Sequence, residues 1–573
     1  MSSNASGNLI TRIYSNFRGV DFTKSNSTLV RSPDSINMWK NYRNELGKNI
    51  ETRPGLEVFK QLDGVVYGIF FYKVYNVKHM MIHAGVKLYD YNMNTKEIEM
   101  IKESGLNPRK SYGFVFNNIF YLKDGINYLQ YDGQTIKDIE PYIPTTTMSK
   151  APSGAGTTYE DVNMLTGQRK NSFCSDGESK QYVLDGQGLD ADYNERIWIN
   201  DVEITTGFTV DKVNGKVEFD NPPEAPVSDG TDNVIIQFSK TIQGEKEKRT
   251  KCTLLELFDN RVFFSGNQDY PNVIFHSSLK DPGYVSDLDF YNEGMDFSPV
   301  KAMISGNNAL WVLKEPSPAN TSIFYHNPTN DMDYGKLYPS THSSISLGCL
   351  STGINFNDDI IFFSDRGMEG ITGDVTTEQV VSHRSSLIDS KLLKESEYKN
   401  LILQEHQGYL LVIIGNKVYL ADSRAMFTNG NHNEYEWFYW ELEKNISFAT
   451  EDDGILYLGS SDGIYTLTNT DENREISAYW TTIEDEFKYP QMQKTTNKKG
   501  CTIDMAGESI KISVKTDDNA FEEINTYENI KGYVVARIKK KKWKNIQLKF
   551  SSSKPFGIEK VTLESYVGSY IKR

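Results

Sequence analysis

From Gly64 to about Ile143, apolar runs of four to seven residues alternate with short polar breaks: VVYGIFFY, HMMIHAG, VKLYDYN, SYGFVFNN, IFYLKDG and INYLQYDG. These lengths suit β-strands, and Asn117-Asn118, Asp124-Gly125 and Asp132-Gly133 supply hairpin turns between or after them. Antiparallel meanders are predicted. The same pattern returns after residue 251 in LLELFDNRVFFSG, ALWVLKE, DIIFFSDRGMEGITG, YLLVIIGNKVYLAD and GILYLGSSDGIYTL. DDIIFFSDRGMEGI (358–371) and DDGILYLGSSDGIYTL (452–467) both run strand, turn, short strand, and 119–129 and 409–420 repeat that unit more loosely. Units of about 40–50 residues, each a four-stranded sheet, make a β-propeller, here with five to seven blades and six favoured.

Two segments break this pattern. TMSKAPSGAGTTYEDV (147–162) reads as a linker, and after it Val217 and Phe219 alternate with Lys216 and Glu218 behind an Asn214-Gly215 turn. A small all-β domain inserted into a propeller loop at about 155–245 is predicted. From about Ile476, strict alternation sets in. Ile510, Ile512 and Val514 share one strand face, as do Ile546, Leu548 and Phe550, which predicts a β-sandwich-like C-terminal domain. Helices are expected only at 33–46 and 385–396. The division is therefore a lead segment at 1–60, propeller at 61–150, an inserted domain at 151–248, propeller at 249–472, and a C-terminal domain at 473–573, in an all-β fold.

Composition supports this division and narrows the function. The 573 residues exceed what one core accommodates. Tyr (34) and Phe (29) are abundant, as suits strands. A formal charge of −15 argues against a surface that grips nucleic acid and suits one that DNA passes without sticking. Cys174, Cys252, Cys349 and Cys501 lack metal or disulfide spacing and read as buried free thiols. No signal segment or long apolar stretch occurs, so membrane insertion is not expected and assembly in a cytoplasm is.

Catalytic chemistry finds no motif. Neither GxxxxGK[ST] nor GxSxG occurs, and 364–368 and 460–465 read as Asp/Gly turns rather than sialidase boxes. His79 and His83 lie on a strand, where their spacing suits core packing rather than metal. No catalytic, metal or cofactor residue is assigned, and no cofactor is expected. The run Lys539, Lys540, Lys541 and Lys542 is either a solvated edge that discourages stray pairing or a contact for an acidic subunit or DNA.

The segment 16–59 runs from a Gly-containing start through Ser-x-x-x-x-Asn-Met-Trp to Arg53-Pro54-Gly55, which is expected to fix a turn, Pro54 supplying a preset φ and Gly55 a permissive one, with Trp39 as a packing anchor. It resembles the opening of tail nozzle proteins of short-tailed bacteriophages and of related head–tail hub propellers that stabilise packaged DNA. There such a segment leads into the first blade. Gly19 is single where that pattern has two glycines. YEDVNMLTGQRKNSFCSDG (159–177) resembles the start of the insertion in such proteins, with Met164 in place of a leucine. WINDVEITTGFTVDKVNGKVEFDNPPEAP (198–226) resembles their immunoglobulin-like module, and FDNRVFFSGNQDYPNVIFHSSLKDP (258–282) a blade line.

The resemblance implies a structural, non-enzymatic component of the virion tail. It would be a nozzle or head–tail connector forming a homo-oligomeric ring, commonly a hexamer, below the portal or adaptor and among other tail proteins. The ring would surround the channel, retain double-stranded DNA and permit its ejection, after assembly in the host cytoplasm. Arg53, Pro54 and Gly55 carry structural roles in this reading. Its rivals are a receptor- or glycan-binding tail protein, with Trp437, Phe438, Tyr439 and Trp440 as a platform for host-surface glycan, although such a run more often sits half in a core, and a propeller glycosidase.

Overall fold

The computed structural model describes residues 8–23, 28–43, 46–74, 76–228, 230–317, 322–332, 335–343, 347–371, 381–430, 432–468 and 475–570. Contacts divide the chain into two compact units, 1–69 with 349–573, and 70–348.

The fold is all-β and of propeller type. Among the described residues, seven four-stranded meanders stand where about six were expected. Four lie in the second unit, the first of them starting four residues before its boundary: Val66–Val74 through Ile98–Lys102, Tyr112–Phe116 through Ile136–Asp138, Leu254–Phe258 through Phe290–Asn292, and Val300–Gly306 through Ser340–Ser343. Three belong to the first: Gly353–Phe356 through Val381–His383, Ile402–His406 through His432–Glu441, and Phe448–Asp452 through Gly463–Thr468. Gly55–Gln61 completes the last of these. Fourth strands such as Ile136–Asp138, Phe290–Asn292 and Val381–His383 have only three residues, too few to show period-two alternation.

A recurring turn carries the repeat. The first hairpin of six sheets closes on a dipeptide with both φ angles positive: Asn117-Asn118, Asp259-Asn260, Asn307-Asn308, Asn357-Asp358, Gln407-Gly408 and Asp453-Gly454. Asn, Asp and Gly tolerate that conformation, and its twist matches the flanking strands. From Asp259 to Asp453 these pairs recur about every 46–50 residues.

The segment read as an insertion is a β-sandwich. A six-stranded sheet that includes Thr145–Lys150, Gln168–Phe173 and Val234–Ser239 faces a three-stranded sheet of Gln181–Val183, Phe208–Asp211 and Lys216–Phe219. Phe173, Tyr182, Ile197, Val217, Phe219, Ile236 and Phe238 fill the space between them. The alternation at 216–219 holds, and Gly215 (φ +65°) is required, because a Cβ there would lie 1.8 Å from the Gly186 carbonyl oxygen. The sandwich starts before the expected boundary at 151. Thr145–Lys150 and Thr157–Thr158 are strands of the six-stranded sheet, so the supposed linker 147–162 is built into it. Pro, Gly and Ser in that stretch mark turns between short strands rather than a free tether.

The C-terminal segment is one continuous sheet that curls over on itself. Met492–Thr516, 25 residues long, pairs with Glu522–Ala536 on one side and with Ile546–Ser552 and Phe556–Tyr570 on the other. Lys494 pairs with Trp543 while Thr516 pairs with Ile546, so the strand's two ends are brought close together. The same sheet takes in the N-terminal segment, which is therefore no separate lead. Asn8–Ser15 pairs with residues 560–567, and Ile50 with Ile558.

The helix expected at 33–46 is absent from its described residues. Asn37 has φ +57°, which no α-helix accommodates, and it separates two short strands, Ser35–Ile36 and Met38–Trp39, that pair with neighbours distant in sequence. The segment 385–396 contains one short helix, Asp389–Leu392, and a second, Glu245–Thr250, follows the sandwich.

Candidate functional site

The residues singled out around Arg53 converge on one seam in the first unit. Asn37 and Arg53 face each other because Arg53 N–H donates to the Asn37 carbonyl at 2.9 Å. The buried Arg53 guanidinium then donates to Asn37 Oδ1 (2.9 Å), the Pro54 carbonyl (2.8 Å), the Glu441 carbonyl (2.8 Å) and Glu443 Oε1 (2.8 Å). Its planar fork suits four acceptors in fixed directions. Asn37 Nδ2 reaches the Ser477 carbonyl at 2.8 Å, and Asn37 Oδ1 also accepts from Glu441 N–H at 2.8 Å. The pair thus ties the N-terminal segment to the end of His432–Glu441 and to the start of the C-terminal segment.

Gly55 does not form the expected turn. It begins the strand Gly55–Gln61, which pairs with Gly463–Thr468, so the segment enters the last sheet rather than the first. Trp39 is a packing anchor, 5.2 Å edge-on from Trp440 and 5.5 Å from Tyr409. Trp437, Phe438, Tyr439 and Trp440 are all at most 1% exposed and form no surface platform. Their unbroken burial follows from a strand covered on both faces: two separate cores claim alternate residues.

Lys539, Lys541 and Lys542 are exposed and Lys540 is half-buried, between the buried anchors Ile538 and Trp543. Lys540 pairs with Glu522. The run flanks Glu522–Ala536, which has one neighbouring strand among the described residues. On that strand the Tyr527 hydroxyl donates to the Val535 carbonyl at 3.1 Å. This places the lysines beside an edge strand that already satisfies part of its own edge.

Three histidines are held by neighbouring side chains. His83, on the strand Val77–Ala84, is buried and bonded to Ser111 Oγ at 3.0 Å; burial pushes its pKa down to about 4, so it is neutral near pH 7. His79 contacts Asp90 at 2.9 Å. In the first unit, burial opposes charge on His383, but Asp389 (2.6 Å) and Glu369 (3.0 Å) outweigh it and push its pKa up to about 10. Among the described residues, no three His, Cys, Asp or Glu side chains are arranged to hold a metal ion. Cys252, Cys349 and Cys501 are buried, while Cys174 is half-buried.

Two surface features were not read from the sequence. In the first unit, a groove of about 560 Å³ is lined by Phe22, Asp34, Lys391, Lys394, Glu395 and Lys417. Lys391 Nζ lies 3.4 Å from the Tyr439 ring centroid, and Lys417 is held by Glu395 at 2.7 Å. In the second unit, a cleft of about 390 Å³ lies where the sandwich joins the sheets, bordered by Pro141, Met164, Leu165, Thr166 and Ile242. Asn163 fixes its floor: Nδ2 donates to the Tyr142 and Gly283 carbonyls (2.8 Å each), and Oδ1 accepts from Leu165 and Val285 N–H. Asn163 stands in the stretch that resembles the start of the family's insertion, but nothing in its neighbourhood along the chain announces these partners.

No family model matches the chain, and no curated protein matches it. Solved structures give distant likenesses. A mitotic checkpoint complex structure aligns at 9% identity and TM-score 0.31, covering 72% of this chain and 95% of that one. YCF48 from Cyanidioschyzon merolae aligns at 8% and 0.26, covering 72% and 100%. An exo-β-1,3-galactanase from Phanerochaete chrysosporium aligns at 7% and 0.23, covering 90% and 100%. The fold assignment rests on the sheets themselves. No helix among the described residues is long and apolar enough to cross a membrane.

Proposed function

We propose that the chain is a non-catalytic structural subunit of a tailed bacteriophage particle. In this reading several copies, six by the family resemblance, form a tail ring below the portal or adaptor, through which packaged DNA is retained and then ejected. The observation that carries the proposal is the seam at Arg53. The segment bearing the nozzle-like motif is woven into both the last four-stranded sheet and the C-terminal sheet, so Asn8–Ser15 and Gly55–Gln61 each close against a strand remote in the sequence. A body that holds compressed DNA needs that closure.

Electrostatics agrees with passage rather than binding. With 77 acidic against 62 basic residues, the body repels phosphates on average. The assembled protein is expected to retain little double-stranded DNA in a mobility-shift titration at moderate salt. Tight binding that weakens steeply as salt rises would contradict the proposal, because it reports phosphate neutralisation by a basic surface.

A further inference from the structure

Four strands of the C-terminal sheet lie side by side in the order Asn8–Ser15, Phe556–Tyr570, Met492–Thr516 and Glu522–Ala536. One row shows the alignment: Ile13 pairs with Thr562, Thr562 with Thr502, and Thr502 with Val535. Every pairing is antiparallel, so the two outermost strands run in opposite directions. Among the described residues, neither outermost strand has a second neighbouring strand. A row of backbone donors and acceptors therefore stands open at each side of the stretch.

One face of this stretch is closed, since Tyr14, Val561 and Ile503 are buried in a common core. The other face carries Leu9, Thr11 and Ile13 at one edge and Tyr533 and Val535 at the other, and its four large apolar side chains are 47–72% exposed. A solitary edge is normally guarded by charge or proline, and the exposed face of Asn8–Ser15 has neither. At the opposite edge the Val535 carbonyl accepts from the Tyr527 hydroxyl at 3.1 Å, an exposed bond that an incoming backbone N–H replaces. Because the outermost strands run oppositely, a second copy brought alongside by rotation continues the antiparallel alternation. With Val535 set opposite Ile13, apolar side chains of the two edges meet across strands. The exposed Arg537 then comes beside Thr11 and its neighbour Glu564, an opposite charge.

We infer that Glu522–Ala536 of one copy pairs antiparallel with Asn8–Ser15 of the next, and that this heterologous edge-to-edge contact joins the subunits of the ring. The inference rests on the ring proposed above. Two edge variants test it, Tyr533→Lys with Val535→Lys and Leu9→Glu with Ile13→Glu, all at exposed positions. Unchanged thermal midpoints confirm folding, and mass photometry counts subunits. Each variant is expected to be monomeric where wild-type protein assembles. The chain carrying both sets of changes should assemble again, because lysines then face glutamates. Hydrogen exchange on wild-type protein gives a readout free of substitutions: amides of 8–15 and 531–535 should exchange more slowly in the assembled protein than in the monomer. Edge variants that assemble like wild type, a combined variant that folds but stays monomeric, or edges unprotected in the assembly would overturn the inference while leaving the ring standing. Wild-type protein that is monomeric at every concentration would overturn both.

Discussion

Arg53→Ala is expected to lower the stability of the unit formed by 1–69 and 349–573 by roughly 3 kcal/mol. Glu443 is partly exposed and rehydrates readily, so the ion pair accounts for little of this. The larger part comes from the Pro54 and Glu441 carbonyls, which lose their donor in a region closed to water, and from the space the side chain vacates. Arg53→Lys should recover little, because one ammonium cannot reach four acceptors set in the directions of a guanidinium fork. Chemical unfolding followed by tryptophan fluorescence measures this directly, since Trp39 and Trp440 lie in the core beside the seam. A midpoint unchanged in both variants would show that the seam contributes nothing.

A chain beginning at residue 62 should fare worse and fail to accumulate as soluble protein. It lacks Gly55–Gln61, leaving the edge of Gly463–Thr468 open, and Asn8–Ser15, leaving an edge of Phe556–Tyr570 open. It also removes Tyr14, Phe17, Met38, Trp39, Ile50 and Leu56 from a single core cluster. Open strand edges beside exposed core residues are sites of aggregation. Recovery of this truncation in the soluble fraction, with a cooperative melt near that of the whole chain, would mean that the N-terminal segment is an appendage.

What the sequence showed of this architecture follows from how local each signal is. Strands of five or six residues with Asn-Asn or Asp-Gly turns report themselves, because both the alternation and the positive φ angles are set within a few residues. The turn pairs at 259–260, 307–308 and 357–358 are in fact a cleaner repeat than the strands they join. Three-residue outer strands carry no such signal, and the last sheet takes its fourth strand from more than 400 positions earlier in the chain. The segment 33–46 read as a helix for the same reason: its apolar spacing fits one, whereas its partners at 439 and 479–480 are remote. Trp437 to Trp440 illustrate the converse. Four consecutive aromatics suggest a binding platform only until both faces of their strand are seen to be covered.

At the site, Arg53, Pro54 and Gly55 stood out because the triplet is distinctive, and Arg53 is indeed the centre of the seam. Its partners, Asn37 and the carbonyl of Glu441, are ordinary residues in sequence. The partners of Asn163, the carbonyls of Tyr142 and Gly283, were equally silent, since they are brought close only by the fold.

The central claim is that this chain builds a closed ring around a channel. Negative-stain images of the purified, assembled protein test it most directly. The account predicts closed rings of uniform size with a central opening, six-fold by the family resemblance. A monomer or compact trimer without a channel, cleaving or binding host-surface polysaccharide, would contradict it.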